Sequence, residues 1–257
     1  MFQRVQKILS NRGYCSRRNA ELLISRGRVK VDDKVITLGD KADENQIISV
    51  DNKIVKEEKK TYLIFNKPRG YVTALIDSHE RTIMELIDVK ERVYPVGRLD
   101  KNTEGILLLT NDGDFANKIM HPRYCINKTY LVRINKPING SHMGLIIKGV
   151  KLEDGKTAPA QVKKLSDFKL EITIHEGKNR IIRRMLEKLG YEVRHLKRIY
   201  IGNLDLGTLN TGQYISVSKS FLEEKIFWLD GKHGWGDLSS LMLSTPENYK
   251  IKKNRKK

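Results

Sequence analysis

The sequence has little cysteine and no long apolar run. Its two cysteines, Cys15 and Cys125, form no CxxC pair, which argues against a disulfide framework and a thiolate zinc site. No apolar stretch approaches the roughly 18 residues that a membrane-spanning helix needs. Charges interrupt the apolar positions at the amino terminus, unlike the pattern of a signal peptide. We therefore expect a soluble, cytoplasmic protein with no membrane partner.

Patterns for metal ions and nucleotide cofactors are also missing. His121, His175 and His195 lack metal-ligand spacing. No glycine-rich loop follows a strand in the manner that a nucleotide-containing cofactor requires. We therefore expect no metal and no cofactor, which disfavours an enzyme such as a methyltransferase.

Acidic residues are outnumbered by basic ones. The 257 residues include 49 lysines and arginines against 31 aspartates and glutamates, a formal net charge of +18. Such an excess suits a phosphate-rich partner, and nucleic acid is the leading class. The length fits one large and one small domain. We expect a monomer because no exposed apolar seam is apparent.

Residues 1–54 have the pattern of a small, self-contained α/β module. It should begin with two short helices, the second capped by Ser16 and ended by Gly27. Alternating apolar and polar residues around Asp32 and Asp33 then predict a hairpin within a small sheet.

Basic side chains dominate the first 30 residues. Eight of them stand against one acid, Glu21, for a local charge of +7, whereas a solvated helical face usually interleaves both signs. A solvated face remains the alternative to a binding surface. The eight are Arg4, Lys7, Arg12, Arg17, Arg18, Arg26, Arg28 and Lys30. The stretch SRRNAELLISRGRVKV, residues 16–31, resembles the S-four RNA-binding domain. The resemblance implies binding to structured RNA, with Arg4, Arg17, Arg18 and Arg26 as candidate contacts.

A larger domain is predicted over residues 61–220, after a charged linker, VKEEKK, at 55–60. TYLIFNKP, YVTALI, KTYLVRI and LEITIHEG predict strands, ILLLTNDGDFANKIM a strand, turn and helix, and NRIIRRMLEKLG an amphipathic helix. Strands outnumber helices and do not alternate regularly with them, so we expect an α+β fold with a mixed sheet. Residues 221–257 match no assignable pattern and end in a basic tail, KIKKNRKK.

The most informative stretch is YPVGRLDKNTEGILLLTNDGDFANKIMHP, residues 94–122. Asp100 follows a strand-like segment and precedes a polar loop and a buried strand, where a carboxylate can be held rigidly beside a cleft. By spacing alone it is more often a turn former. However, GRLD followed by TEGILLLTNDG resembles the central motif of the RsuA-like pseudouridine synthases. FNKPRGYVTA, KTYLV, and EGKNRIIRRM with LKRIYIGNLDLGTL resemble the other family motifs in order, so the resemblance covers about residues 2–212.

The resemblance implies a role for each matched position. Asp100 corresponds to the family's nucleophile, Tyr130 to its active-site tyrosine and Arg183 to the basic partner of the aspartate. The target uracil must leave the base stack before it can react, and Arg98 would fill the space that the flipped base leaves. Taken alone, Tyr130 would be a half-buried strand residue and Arg183 a solvated helix residue.

Residues 178–198 form a second basic stretch. Eight basic groups stand against Glu187 and Glu192, a local charge of +6 that favours phosphate contact. The eight are Lys178, Arg180, Arg183, Arg184, Lys188, Arg194, Lys197 and Arg198. Arg180, Arg184 and Lys67 of the KPRG turn are the candidate RNA contacts. Two positions depart from the family: Ile181 replaces a usual Gln, and Ile215 replaces a common Arg.

The resemblance implies a pseudouridine synthase that acts on a specific uridine of ribosomal RNA. The run from LGDKADENQI through EDGKTAPAQV is more similar to the large-subunit branch of the family than to the small-subunit branch. The alternative is a non-catalytic RNA-binding or ribosome-assembly factor on the same fold.

Overall fold

The computed structural model describes residues 2–43 and 45–227. The chain divides into two compact units, with a first boundary between Thr61 and Tyr62. The first unit holds Met1–Thr61 together with Val89–Tyr94 and Thr110–Phe115. The second holds Tyr62–Asp88, Pro95–Leu109 and the described chain from Ala116 to Phe227. The predicted boundaries at residues 54, 61 and 220 stay predictions, and the basic tail lies outside the described residues.

The first unit contains the two predicted helices, a four-stranded sheet and a separate pair of strands. The helices are α1 (Val5–Asn11) and α2 (Arg17–Ser25). The strands are β1 (Gln3–Arg4), β2 (Val29–Val31), β3 (Lys34–Val35), β4 (Lys41–Ala42), β5 (Ile48–Val50) and β6 (Lys53–Ile54). Ser16 caps α2 by accepting a hydrogen bond from the backbone N–H of Asn19 at 3.1 Å. Asp32 and Asp33 both have positive φ, as the predicted β2–β3 hairpin turn requires.

From Tyr62 onward the chain builds a larger α+β structure. The strands are β7 (Tyr62–Lys67), β8 (Tyr94–Val96), β9 (Glu104–Thr110), β10 (Lys128–Ile134), β11 (Lys151–Leu152), β12 (Gly155–Lys156), β13 (Gln161–Ser166), β14 (Lys169–Ile174), β15 (Val193–Ile201) and β16 (Tyr214–Ser216). The helices are α3 (Gly113–Met120), α4 (Gly140–Lys148), α5 (Ile181–Lys188) and α6 (Lys219–Phe227). Among the described residues, no helix has the length and apolar character needed to span a membrane.

The main sheet is mixed, which confirms the predicted fold class. Its strand order is β13-β14-β10-β15-β9-β7-β16, and β8 pairs with β9. Strands β9 and β15 run parallel, whereas β10 is antiparallel to both of its neighbours. Helix α5 packs Ile181, Ile182, Met185 and Leu186 into one core cluster with residues of β10, β14 and β15, as its apolar spacing predicts. Ile181, the departure from the family pattern, is therefore a core residue here.

The strand predicted for YVTALI, residues 71–76, is wrong. This segment makes only an isolated bridge between Val72 and Thr82. Instead of strand pairing, the side chain of Thr73 forms two hydrogen bonds with the backbone of Leu99. Its hydroxyl donates to the Leu99 carbonyl at 2.7 Å and accepts from the Leu99 N–H at 3.2 Å. These two bonds tie the segment to Leu99, the residue before Asp100. The motifs described above predict none of β13, β16, α4 and α6.

Gly105 allows β9 and β15 to approach closely beside this loop. Its φ is +110°, and a Cβ built on it would lie 2.1 Å from the backbone oxygen of Arg198. Because backbone cannot move aside as a side chain can, Gly105→Ala is expected to lower the free energy of unfolding by about 3 kcal/mol or more. Urea titration followed by circular dichroism measures this. Gly144→Ala in α4 is the control, since nothing lies within 4 Å of its added Cβ; an equal loss in both variants would contradict the prediction.

Candidate active site

The carboxylate of Asp100 lies in the loop between β8 and β9 with two arginines beside it. Its side chain is 32% exposed, with Arg180 Nη1 at 3.8 Å and Arg183 Nε at 4.0 Å from the same oxygen, Oδ2. Both distances exceed hydrogen-bond length, and no hydrogen bond reaches this carboxylate from the described residues. The carboxylate is thus charge-compensated, accessible and not engaged by a donor.

Arg183 is fixed by two backbone acceptors. Its Nη1 donates to the carbonyl of Val193 at 3.2 Å and its Nη2 to the carbonyl of Asn102 at 3.0 Å. The remaining donor, Nε, is buried and has no hydrogen-bond partner within the described part of the chain. Burial, followed by the charge of Arg180, lowers the pKa of Arg183, while Asp100 partly offsets this; the guanidinium stays protonated. The fork therefore presents a positive charge to Asp100 in a defined orientation.

Lys67 holds the Asp100 loop from inside the protein. It is fully buried at the end of β7, and burial lowers its pKa to about 8 although Asp100 and Glu104 oppose this shift. Its Nζ shares three N–H groups among four backbone carbonyls, those of Pro68 at 2.9 Å, Thr103 at 3.0 Å, Asp100 at 3.2 Å and Lys101 at 3.5 Å. The RNA contact predicted for Lys67 is corrected by this burial, because the ammonium faces the loop backbone and not solvent.

Further backbone bonds hold the same loop in place. The N–H of Gly70 donates to the carbonyl of Lys101 at 2.8 Å, and the N–H of Thr103 donates to the carbonyl of Asp100 at 2.9 Å. Together with the two hydrogen bonds between Thr73 and Leu99, these bonds fix the backbone before and after Asp100. A side chain on such a supported loop can be held with the precision that catalysis needs.

Tyr130 lies on β10 in a row that leads toward the Asp100 loop. Its cross-strand partner on β15 is Arg198, and Arg198 pairs in turn with Gly105 at the start of β9. Tyr130 is half-buried against the α5 core cluster. No hydrogen bond to its hydroxyl is formed within the described residues, so the phenol is available to a bound base.

The other predicted RNA contacts differ in their surroundings. Arg98 is exposed, and Arg180 is 49% exposed. Arg184 is already engaged, since both of its terminal nitrogens bind the carboxylate of Asp154. In the first unit, the four candidates are exposed and have no ion-pair partner among the described residues; they are Arg4, Arg17, Arg18 and Arg26.

Two supporting residues were not singled out by the sequence. Thr73 gave no signal beyond its place in the KPRGYVTA motif. Arg198 was grouped with phosphate-binding residues, but it is 3% exposed and its Nε donates to the carbonyl of Ile106 at 2.8 Å. Burial, together with the charge of Arg198, lowers the pKa of Lys128 to about 8. Basic character alone could not separate these buried cations from exposed ones.

A metal centre is not indicated by the site. Within residues 2–43 and 45–227, no group of three or more His, Cys, Asp or Glu side chains is arranged to hold a metal ion. The charged groups that lie beside the Asp100 carboxylate are the guanidinium groups of Arg180 and Arg183.

Comparison with protein families identifies two matched regions. Residues 61–188 match the model for RNA pseudouridylate synthases, and residues 3–48 match the S4 domain. The catalytic residues proposed from the resemblance all lie in the first of these regions.

Similar proteins match over most of the chain. A ribosomal large subunit pseudouridine synthase B from Bacillus subtilis is 44% identical, covering 82% of this chain and 90% of the relative. A dual-specificity RNA pseudouridine synthase RluF from Escherichia coli is 36% identical, covering 82% and 74%. A crystal structure of a pseudouridylate synthase matches with a TM-score of 0.64 and 29% identity, covering 86% and 98%. The chain therefore belongs to the RsuA-like pseudouridine synthases, enzymes that isomerise uridine in RNA to pseudouridine, and it carries an N-terminal S4 domain.

Proposed function

We propose that Asp100 is the nucleophile with which this enzyme isomerises one uridine of large-subunit ribosomal RNA. The observation that carries the proposal is an accessible carboxylate, free of hydrogen bonds from the described residues, beside two guanidinium groups. An aspartate with a structural role usually accepts hydrogen bonds from backbone N–H groups at a helix cap or turn, or forms a close ion pair.

The residue types suit the bonds that must change. The bond between C1′ of the ribose and N1 of uracil breaks, the uracil turns, and a bond forms between C1′ and C5. C5 loses a proton and N1 ends with one, so atoms balance without an oxidant or a transferred group. An ionised carboxylate can attack an electron-poor carbon, as carboxylates do in glycoside cleavage, and the bond that it forms breaks again before the product leaves, so Asp100 is regenerated. Arg183 keeps that charge compensated. Tyr130 stacks on the uracil, and its hydroxyl relays a proton, passing its own toward N1 as it takes the one from C5.

The base must leave its stack before this chemistry can begin. Unstacking costs a few kcal/mol, and an exposed arginine that enters the vacated space offsets part of this cost. Arg98 is exposed two positions before Asp100 and is free to take this role. Arg180 would add charge at the mouth of the same site, while the exposed arginines of the S4 domain would bind structured RNA.

Ribosomal RNA of the large subunit is the proposed substrate because a relative with 44% identity is a ribosomal large subunit pseudouridine synthase. We also propose that the enzyme acts in the cytoplasm as a monomer, without metal or cofactor. Light scattering after gel filtration would give a mass close to the 29.7 kDa of one chain, and twice that mass would overturn the monomer.

The competing function is a non-catalytic RNA-binding or assembly factor. It predicts RNA binding without isomerisation, and the intact set of Asp100, Tyr130 and Arg183 disfavours it. The two functions separate when pseudouridines are mapped by carbodiimide modification and reverse transcription. RNA from cells with and without the gene should differ at one position of large-subunit ribosomal RNA, restored by the wild-type gene and not by Asp100→Asn. An unchanged map would instead support the binding factor.

Arg183 should require its guanidinium shape as well as its charge. A lysine cannot reach Val193, Asn102 and Asp100 together, so Arg183→Lys is expected to lower the single-turnover rate about 100-fold and change RNA affinity by only a few fold. Rapid-quench assays at saturating RNA measure the rate. Arg184→Lys is the matched control on the same helix, and its rate should fall less than tenfold. Equal losses in both variants would argue that Arg183 has only a general electrostatic role.

A further inference from the structure

A strongly basic cavity lies in the catalytic unit. It has a volume of about 1000 Å³. This is the upper end of the range of about 300–1,000 Å³ for small-molecule pockets. Its lining includes five basic side chains and an exposed aromatic one: Arg69, Arg133, Lys169, Arg194, His195 and Phe168. Asp100 and Tyr130 are not among the lining residues.

The cavity lies on the sheet face that points away from Tyr130. Lys169, Arg133 and His195 are consecutive cross-strand partners on β14, β10 and β15, so they share one face. Tyr130 and Val132 alternate with Leu131 and Arg133 along β10 and pack against the α5 cluster on the other face. The catalytic chemistry described above therefore leaves this basic row unexplained.

Three of the five basic groups have no acidic or hydrogen-bonding partner within the described residues: Arg69, Arg133 and Lys169. The other two are paired, His195 with Glu104 at 3.0 Å and Arg194 with Glu192 at 2.9 Å. Neighbouring unpaired cations such as Arg133 and Lys169 repel one another, and such a pair is typical of a surface that binds a polyanion.

Arg69 connects this cavity with the surroundings of Asp100. It follows Pro68 in the KPRG turn and lines the cavity, and the next residue, Gly70, donates its backbone N–H to the carbonyl of Lys101, beside Asp100, at 2.8 Å. An RNA strand that leaves the active site would therefore meet Arg69 first and then the basic row. Phe168, 44% exposed, offers a surface on which a base can stack.

We propose that this cavity, around the row Lys169–Arg133–His195, binds the sugar–phosphate backbone of substrate RNA next to the target uridine. The proposal rests on the proposed function, since the strand bound here is the one that presents its uridine to Asp100. Arg133 and Lys169 contact phosphates, Phe168 stacks on an unpaired base, and Arg69 lies where the strand turns toward the active site. The cavity contributes to affinity and takes no part in bond breaking.

The test compares two double variants that each remove two positive charges. Arg133→Ala/Lys169→Ala alters the cavity, whereas Lys118→Ala/Lys148→Ala removes exposed lysines from α3 and α4 outside it. Filter binding of an in vitro transcript of large-subunit ribosomal RNA gives the Kd between 50 and 400 mM salt. The cavity variant is expected to bind on the order of tenfold more weakly near 0.1 M salt and to lower the slope of log K against log salt by about 1.5. Its single-turnover rate at saturating RNA should match that of the wild type.

A charge-preserving variant separates a binding role from damage to the fold. Arg133→Lys/Lys169→Arg should keep wild-type affinity and salt slope. The proposal is overturned if the cavity and control variants show the same Kd and slope, or if only the rate at saturating RNA changes. Normal RNA affinity with lost activity in cells would point to an acidic protein partner and also overturn it. If the wild type forms no pseudouridine in large-subunit RNA, the proposed substrate is wrong. The affinities of the cavity and control variants for the transcript still decide, independently of that result, whether the cavity binds RNA.

Discussion

Asp100→Asn is expected to lower the single-turnover rate of pseudouridine formation by on the order of 10⁴-fold or more, with RNA affinity changed only a few fold. The amide has the size of the carboxylate but lacks the charge and the nucleophilic oxygen pair. The loop should keep its conformation, because Lys67, Thr73 and Thr103 hold it through backbone atoms of residues 99 and 100. Release of tritium from C5-labelled uridine in the RNA measures the reaction, since C5 loses its hydrogen.

Asp77→Asn is the matched control for this loss. Asp77 lies in a polar loop of the same unit, and its carboxylate accepts hydrogen bonds from the N–H groups of His79 and Glu80, which an asparagine oxygen can also accept. Its rate should stay within a few fold of the wild type. If Asp100→Asn retained more than a tenth of the wild-type rate, another group would have to be the nucleophile.

Lys67→Met is expected to lower the free energy of unfolding by about 3 kcal/mol or more, because several buried carbonyls lose their only charged donor. The same change frees the loop that carries Asp100, so the rate at saturating RNA should fall at least about 100-fold in the protein that remains folded. Urea unfolding and single-turnover assays measure the two effects. Lys101→Met is the stability control: its half-exposed ammonium pairs with Glu80, and exposed pairs contribute about 1 kcal/mol or less. Equal stability losses in the two variants would contradict the role of Lys67.

The pKa of Lys67 gives this comparison a pH dependence of defined sign. Its folded pKa of about 8 lies below the ordinary value of 10.5, so between these values the unfolded chain binds the proton more tightly. Stability rises with pH wherever the unfolded state binds more protons. The free energy of unfolding of the wild type, relative to Lys67→Met, should therefore increase from about pH 8 to about pH 10.5 and stay level below pH 8. Paired urea titrations at pH 7 and 10 measure this, and a decrease would contradict the assigned pKa.

Local sequence determined the elements whose signals are short-range. Ser16 caps the start of α2, and Gly27 follows its end. Asp32 and Asp33 form the hairpin turn, and the apolar spacing of α5 produces its buried face. Each depends on contacts within a few residues, namely capping, left-handed turn conformations and helical periodicity. The RsuA-like resemblance was likewise readable from contiguous motifs, and the family comparison confirms it.

The tertiary structure alone decided which charged residues are buried and which are exposed. Lys67 and Arg198 appear in the sequence as two more cations of a basic protein, but the fold encloses both and directs them to backbone carbonyls. The strand predicted from YVTALI does not form. Instead the Thr73 hydroxyl donates a hydrogen bond to the Leu99 carbonyl, a contact between residues distant in sequence. Likewise, the row Lys169–Arg133–His195 exists only through the register of three strands. Periodicity and composition report the local preferences of a chain, whereas burial and cross-strand neighbours depend on contacts that only the folded chain creates.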